Sequence, residues 1–221
     1  MAYFPMFINI EEEECLLIGG GRVALRKVEY LQDFGARVTV LAKEILPEIR
    51  EKEGIRLIEK SYEEADVVLE DYLLVIVATD DGAFNQQITR LCREKRIPVN
   101  VVDQPKECSF ILPAYLKEEN LLAAFSTGGD SPVVAQYLKE KNREFLTPWL
   151  GKLTGYLGSL RPIVKKELQT MEERKSLYQK ILDRGLKEKR LLSLEEAEKE
   201  ILEDKQAGER QEEHEASDGR N

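Results

Sequence analysis

The 221-residue sequence is poor in the side chains that most often carry catalysis or bind metals. Its only histidine, His214, lies near the C-terminus, so neither histidine acid/base catalysis nor a histidine metal cluster can be built from the preceding residues. Its three cysteines, Cys15, Cys92 and Cys108, are far apart and form no C-x-x-C pair. We therefore expect reduced thiols, no disulfide framework and no metal site. Proton chemistry must rest on carboxylates, lysine, tyrosine or cysteine.

Long apolar runs and an excess of basic residues are also missing. No run approaches the roughly 18 to 20 apolar residues that a membrane span needs, and the first residues lack the pattern of a signal peptide. The net charge of -9 disfavours a nucleic-acid partner or an anionic lipid surface. We expect a cytoplasmic protein with neither kind of partner. Residues 203–221 are acidic and almost free of apolar side chains, so we predict a disordered tail there.

Short apolar runs alternate with amphipathic helical patterns through the first half of the chain. The runs CLLIG, RVTVLA, IRLIEK, LLVIVATD and IPVNVVD are typical of buried parallel strands. The segments GRVALRKVEYLQDFG and DGAFNQQITRLCREKR have helical periodicity. This alternation predicts an α/β fold with a Rossmann-like, doubly wound parallel sheet over residues 1–112.

Three consecutive glycines separate the first predicted strand from the first predicted helix. Gly19, Gly20 and Gly21 open the pattern G-x-G-x-x-A, with Ala24 at its end. Glycine permits the tight turn and lets a pyrophosphate approach the backbone at the helix N-terminus. The pattern predicts dinucleotide binding. The end of the second strand has no acidic residue to hold the ribose, so this chemistry leaves NAD and NADP open.

Polar residues follow the fourth and fifth strands, at the edge where open α/β sheets bind ligands. Thr79 and Asp80 are candidates for the cofactor site, although Asp80 or Asp81 would equally cap the next helix. Asp103 follows the fifth strand, where its carboxylate could take a proton while a nicotinamide takes a hydride. The alternative is a turn residue before Pro105, with Asp bonding its own backbone.

The alternating pattern stops after Asp103. Residues 113–146 form an appended segment that we expect to serve dimerisation. Its first part has the pattern of an antiparallel strand pair, and the glycines and Pro132 that follow indicate the start of a helix. That helix start is either an ordinary capped turn or an anion site to which Ser126 and Thr127 add hydroxyl groups. Residues 147–202 have helical periodicity and predict a C-terminal helical domain.

Four segments together resemble the siroheme synthase N-terminal family, the precorrin-2 dehydrogenase modules that oxidise precorrin-2 to sirohydrochlorin. These segments are GGGRVALRK, ATDDGAFNQ, NVVDQPKECSFILPA and STGGDSPVVAQYLKEK, in family-like order and spacing. The resemblance implies an NAD cofactor, a homodimer and a bound tetrapyrrole, precorrin-2. It implies that Asp103 is the catalytic acid/base, that the cofactor site includes Arg22, Val23, Lys43 and Glu44, and that the substrate contacts Ser126, Thr127, Gly128 and Ser131.

The resemblance leaves two activities open. Some relatives also act as ferrochelatases, and others carry a fused methyltransferase domain. Because this chain ends at Asn221, we expect a separate methyltransferase to act upstream in the pathway. A different class of function is a non-catalytic dinucleotide-binding redox sensor, which would need the glycine loop but neither Asp103 nor the STGGDSP segment.

Overall fold

The computed structural model describes residues 3–62, 68–193, 195–203 and 205–206. The chain divides into two compact units, the first made of Met1–Leu112 with Thr127–Ser131 and the second of Pro113–Ser126 with Pro132–Asn221. The predicted fold class is confirmed: a parallel sheet with helices, a separate antiparallel strand pair and C-terminal helices. The division into four segments stays a prediction. Of the tail predicted over residues 203–221, residues 204 and 207–221 lie outside the described residues.

The first unit is built on a five-stranded parallel sheet of order β3-β2-β1-β4-β5. Its strands are β1 Glu14–Ile18, β2 Arg37–Ala42, β3 Ile55–Glu59, β4 Leu74–Val77 and β5 Val99–Val101. The described parts of the connections contain the α-helices α1 Arg22–Asp33, α2 Pro47–Arg50 and α3 Gly82–Glu94, and a short 3-10 helix, Leu69–Asp71, precedes β4. Helix α2 was not predicted from the sequence, because its single turn is too short to show helical periodicity.

Both faces of this sheet are buried, which explains why its strands read as continuous apolar runs. Leu16, Ile18, Val75 and Val77 pack with Ile88 and other residues of α3 on one face. Alternate strand residues face the other way and pack with Ala24, Val28 and Leu31 of α1. The carboxyl ends of all five strands therefore lie along one edge, framed by helices on both sides.

The second unit joins a hairpin to helices. Strands β6 Ala114–Glu118 and β7 Leu121–Phe125 pair antiparallel, with Glu118 opposite Leu121. Helices α4 Pro132–Asn142, α5 Pro148–Ser159, α6 Arg161–Glu167 and α7 Met171–Glu188 follow, and residues 195–203 and 205–206 are also helical. Pro162 stands in the first turn of α6, where its missing N–H is not needed.

A carboxylate fixes the start of the helix over 195–203. Both oxygens of Glu196 accept 2.7 Å hydrogen bonds from the Arg190 guanidinium, and Oε2 also accepts from the Ser193 backbone N–H at 2.8 Å. The hydrogen bonds from Arg190 contribute most to lowering the pKa of Glu196, to about 2. Because the carboxylate is favoured in the folded state, its contribution to stability is complete above the usual pKa of 4.5 and is lost as the pH falls toward 2.

We expect the thermal midpoint of the protein to fall between pH 4.5 and 2 more steeply than in a Glu196→Gln variant, which lacks this titrating group. Thermal unfolding followed by circular dichroism across this range provides the measurement. Glu195→Gln is the matched control, because Glu195 is an exposed neighbour on the same helix. Equal pH dependence in wild type and Glu196→Gln would contradict the assignment.

Candidate functional site

A pocket of the first unit opens at the carboxyl ends of β1, β2 and β4. Its volume is about 460 Å³, within the range of small-molecule sites. Seven of the predicted cofactor residues line it together: Gly19, Gly20, Gly21, Lys43, Glu44, Thr79 and Asp80. Arg22 and Val23 do not line it; they are exposed in the first turn of α1.

The first two glycines are required by the close approach of the neighbouring backbone. A Cβ on Gly20 would lie 2.0 Å from the carbonyl oxygen of Glu44, and a Cβ on Gly19 would lie 2.3 Å from that of Ala78. Gly19 also has a φ of +129°, which side-chain-bearing residues rarely adopt. The loop is held to its neighbours by hydrogen bonds from Gly19 N–H to Leu41 O and from Leu46 N–H to Gly20 O, both 2.9 Å.

Gly21 differs from the other two because nothing lies within 4 Å of the position of its Cβ. It is the N-cap residue of α1, no side chain caps the helix, and the first turn contains no acid. The N–H groups of this helix start and its partial positive charge are therefore available to an anion in the pocket. Such an arrangement fits the pyrophosphate of a dinucleotide.

The β4 end of the pocket is organised by a buried amide. Asn85, 1% exposed, accepts a 2.6 Å hydrogen bond from the Thr79 hydroxyl and donates one of 3.0 Å to the Thr79 carbonyl. Asp81 is the N-cap of α3, where its side chain accepts a 3.0 Å bond from Phe84 N–H. The capping alternative therefore holds for Asp81, whereas Asp80 is exposed at the pocket.

The β3 end of the pocket contains residues that sequence reasoning did not select. Lys60, Ser61 and Tyr62 follow β3 as Thr79 follows β4, and Tyr62 packs at 6.0 Å from the ring of Phe84. Their position after an apolar strand was the available signal, but no recognisable motif marks them. They give the pocket an aromatic wall and a cationic group at the end away from β5.

Asp103 lies outside this pocket, in the turn after β5. Strand β5, which leads into Asp103, pairs with β4. Thr79 and Asp80 follow β4 and line the pocket, so the two strand ends are neighbours. The residue has a left-handed backbone with φ of +59° and is exposed. The turn is closed by Cys108, whose thiol accepts from Val101 N–H at 3.2 Å and interacts with the Gln104 carbonyl at 3.4 Å.

The 127–131 segment belongs to the same unit as Asp103. A Cβ on Gly129 would lie 3.9 Å from the Pro105 ring, two residues beyond Asp103. Within the segment the Thr127 hydroxyl accepts from Ser131 N–H at 2.9 Å and donates to Ser131 O at 3.0 Å, so it holds the turn. Gly128 and Ser131 are half-buried there, whereas Ser126 is exposed at the end of β7 in the second unit.

The described parts of the chain contain neither a cluster of metal-ligand side chains nor a helix suited to span a membrane. Among residues 3–62, 68–193, 195–203 and 205–206, no three histidine, cysteine, aspartate or glutamate side chains cluster as metal ligands would. No helix within those ranges is both long and apolar enough to cross a membrane.

The similarity of this chain to known proteins agrees with a dinucleotide site at the glycine loop. Residues 6–114 match the family described as "Putative NAD(P)-binding". The siroheme synthase of Thioalkalivibrio sulfidiphilus (strain HL-EbGR7) is 37% identical over 206 residues, and that of Citrobacter koseri (strain ATCC BAA-895 / CDC 4225-83 / SGSC4696) is 42% identical over 184 residues. Over most of its length, the chain is similar to siroheme synthases. These alignments cover 92% and 82% of this chain but only 42% and 40% of the two siroheme synthases.

A solved structure agrees with this relationship at the level of the fold. The structure titled "SirC, precorrin-2 dehydrogenase" superimposes with a TM-score of 0.71 at 23% identity, covering 92% of this chain and 100% of that chain. The similarity extends beyond the NAD(P)-binding domain and therefore includes the hairpin and the helices of the second unit.

Proposed function

We propose that this chain is an NAD-dependent precorrin-2 dehydrogenase that produces sirohydrochlorin in siroheme biosynthesis, with Asp103 as the acid/base. The observation that carries the proposal is the adjacency of two strand ends. The end of β4 lines the glycine-loop pocket, and the paired strand β5 leads into Asp103. Neighbouring strands lie about 4.8 Å apart, so a redox cofactor and a carboxylate can act on one substrate.

The pocket fits a dinucleotide by its own geometry. Gly20 leaves no room for a Cβ, while the uncapped start of α1 beside Gly21 offers N–H groups to the pyrophosphate. Lys60 and Tyr62 would contact the adenosine end, and Thr79 and Asp80 the nicotinamide end nearest β5. The matching family covers NAD(P), and our proposal of NAD follows the family resemblance.

The reaction removes two electrons and two hydrogens from the macrocycle. The nicotinamide supplies the hydride acceptor when bound. Asp103 would take the proton that leaves the substrate, since its exposed carboxylate is accessible at the sheet edge. The turn at Thr127–Ser131, packed beside Pro105, would orient one of the substrate carboxylates through the backbone of Gly128 and through Ser131, with Ser126 nearby in sequence.

The proposal includes a homodimer and a separate upstream methyltransferase. An apolar row on α4, with Val133 78% and Tyr137 58% exposed, lies in the segment predicted for dimerisation. Side chains of this size are usually covered when they cluster on one helix face. Metal insertion, which part of the family performs, would depend on Asp103 or a neighbour, since the only histidine is His214.

We expect turnover when the full chain is mixed anaerobically with precorrin-2 and NAD. NADH absorbance and the sirohydrochlorin spectrum should grow in equal amounts, because one hydride and one proton leave each substrate molecule. NADP in a parallel reaction measures the preference, and iron or cobalt added afterwards tests metal insertion. Dinucleotide binding without turnover would overturn the proposal in favour of the redox sensor.

A further inference from the structure

Two lysines follow neighbouring strands at one end of the glycine-loop pocket. Strands β2 and β3 pair in parallel up to Ala42 and Glu59, and the next residue of each strand is a lysine, Lys43 and Lys60. Paired strands lie about 4.8 Å apart, so the two lysines leave the sheet edge side by side. Both are exposed, and both line the pocket.

The carboxylates near this end do not cancel the two positive charges. Glu59 does not line the pocket, and its carboxylate forms an ion pair with Arg50 of α2. Glu44 does line it, although its backbone carbonyl lies against Gly20 at the glycine loop. Among the described residues that follow β2 and β3 and line the pocket, two lysines therefore stand against one carboxylate. The first residue after β2 is a lysine, at the place where NAD-binding folds ordinarily have an acid.

The peptide after β3 adds a hydroxyl group and an aromatic ring. Ser61 and Tyr62 line the pocket directly after Lys60, and the Tyr62 ring packs at 6.0 Å from that of Phe84. An aromatic face suits stacking with a purine base. Ammonium and hydroxyl groups beside it are donors suited to phosphate oxygens. This end of the pocket thus has the groups to bind an adenosine that carries a phosphate.

We propose that Lys43, Lys60 and Ser61 bind the 2′-phosphate of NADP, so that the chain accepts NADP as well as NAD; this inference rests on the proposed dehydrogenase function. In dinucleotide-binding folds an acid after the second strand holds the ribose hydroxyls of NAD, whereas a basic residue accommodates the 2′-phosphate. A phosphate monoester has a charge of about −1.5 to −2 at neutral pH. Its presence offsets the mutual repulsion of the two ammonium groups.

Binding of the dinucleotides tests this assignment without substrate. Isothermal titration of the full chain with NADP and with NAD, in buffer free of phosphate, gives the ratio of the two affinities. We expect NADP to bind at least as tightly as NAD. Lys43→Met and Lys60→Met should each lower the NADP-to-NAD ratio about 10-fold, the loss of one hydrogen bond to a charged group. Lys60→Arg should retain the ratio, because the positive charge remains.

Arg56→Met is the matched control for the two methionine variants. Arg56 is an exposed basic residue of β3 that does not line the pocket, so its replacement should leave both affinities unchanged. The same NADP-to-NAD ratio in the wild type, Lys43→Met and Lys60→Met would overturn the proposal. An affinity of the wild type for NADP about 10-fold or more below that for NAD would also overturn it.

Failure of the proposed function gives a different result. Binding of both dinucleotides without precorrin-2 turnover would overturn the dehydrogenase and leave the phosphate site in place. Turnover with NAD by a chain that does not bind NADP would keep the dehydrogenase and remove the phosphate site. A chain that binds neither dinucleotide would overturn both.

Discussion

Exchange of Asp103 for asparagine is expected to reduce precorrin-2 oxidation by about 10²- to 10⁴-fold, the usual contribution of a general acid/base. Asparagine is the informative substitution because Asp103 has a φ of +59°, a conformation that asparagine tolerates well. Alanine would add left-handed backbone strain of about 1–2 kcal/mol to the loss of the carboxylate. Single-turnover rates with NAD give the chemical step.

The same variant should bind NAD as the wild type does, since Asp103 does not line the glycine-loop pocket. Isothermal titration with NAD measures this second half of the prediction. Glu12→Gln is a matched control: Glu12 is also an acid with a positive φ, of 64°, in the same unit, and its partner is Arg37. Wild-type turnover in Asp103→Asn would remove Asp103 from the mechanism.

Replacement of Gly20 by alanine should have the largest effect on the first unit. The added Cβ would lie 2.0 Å from Glu44 O and 2.9 Å from the Cα of Ile45, and both are backbone atoms that cannot move without displacing the loop. Overpacking costs about 1–3 kcal/mol, and this contact is at the severe end of that range. The thermal midpoint should fall by several degrees and NAD binding should be lost together.

Gly82→Ala provides the control for Gly20→Ala. Gly82 is the first residue of α3, nothing lies within 4 Å of its added Cβ, and it does not line the pocket. Alanine there should leave the midpoint unchanged or raise it slightly, because it restricts the unfolded chain. A Gly20→Ala protein with wild-type stability and NAD affinity would show that the loop does not have the described geometry.

The sequence predicted the sheet and the glycine loop well for a physical reason. Strands buried on both faces must be apolar throughout, and a loop approached by the Glu44 and Ala78 carbonyls must be glycine. Both requirements restrict which residues can occur in the local sequence, so both can be recognised there. The helix cap formed by Asp81, three residues before Phe84, was likewise recognisable from the local sequence.

Other parts of the site depend on distant segments and could not be predicted from local patterns. The wall formed by Tyr62 and Phe84 joins the ends of β3 and α3, which are separate in sequence. The Thr127 hydroxyl was considered as a hydrogen-bond donor to an anion, but in the structure it bonds the backbone of Ser131. The local sequence does not distinguish these two roles.

The first unit is discontinuous along the chain, since it is completed by Thr127–Ser131 after the β6–β7 hairpin. A gene fragment that stops at Leu112 would therefore encode the sheet and the glycine loop but not the peptide that packs beside Pro105. Such a fragment is expected to retain dinucleotide affinity while losing the segment that we propose for substrate binding. A fragment that includes both parts of the first unit must therefore also include the β6–β7 hairpin that lies between them in sequence.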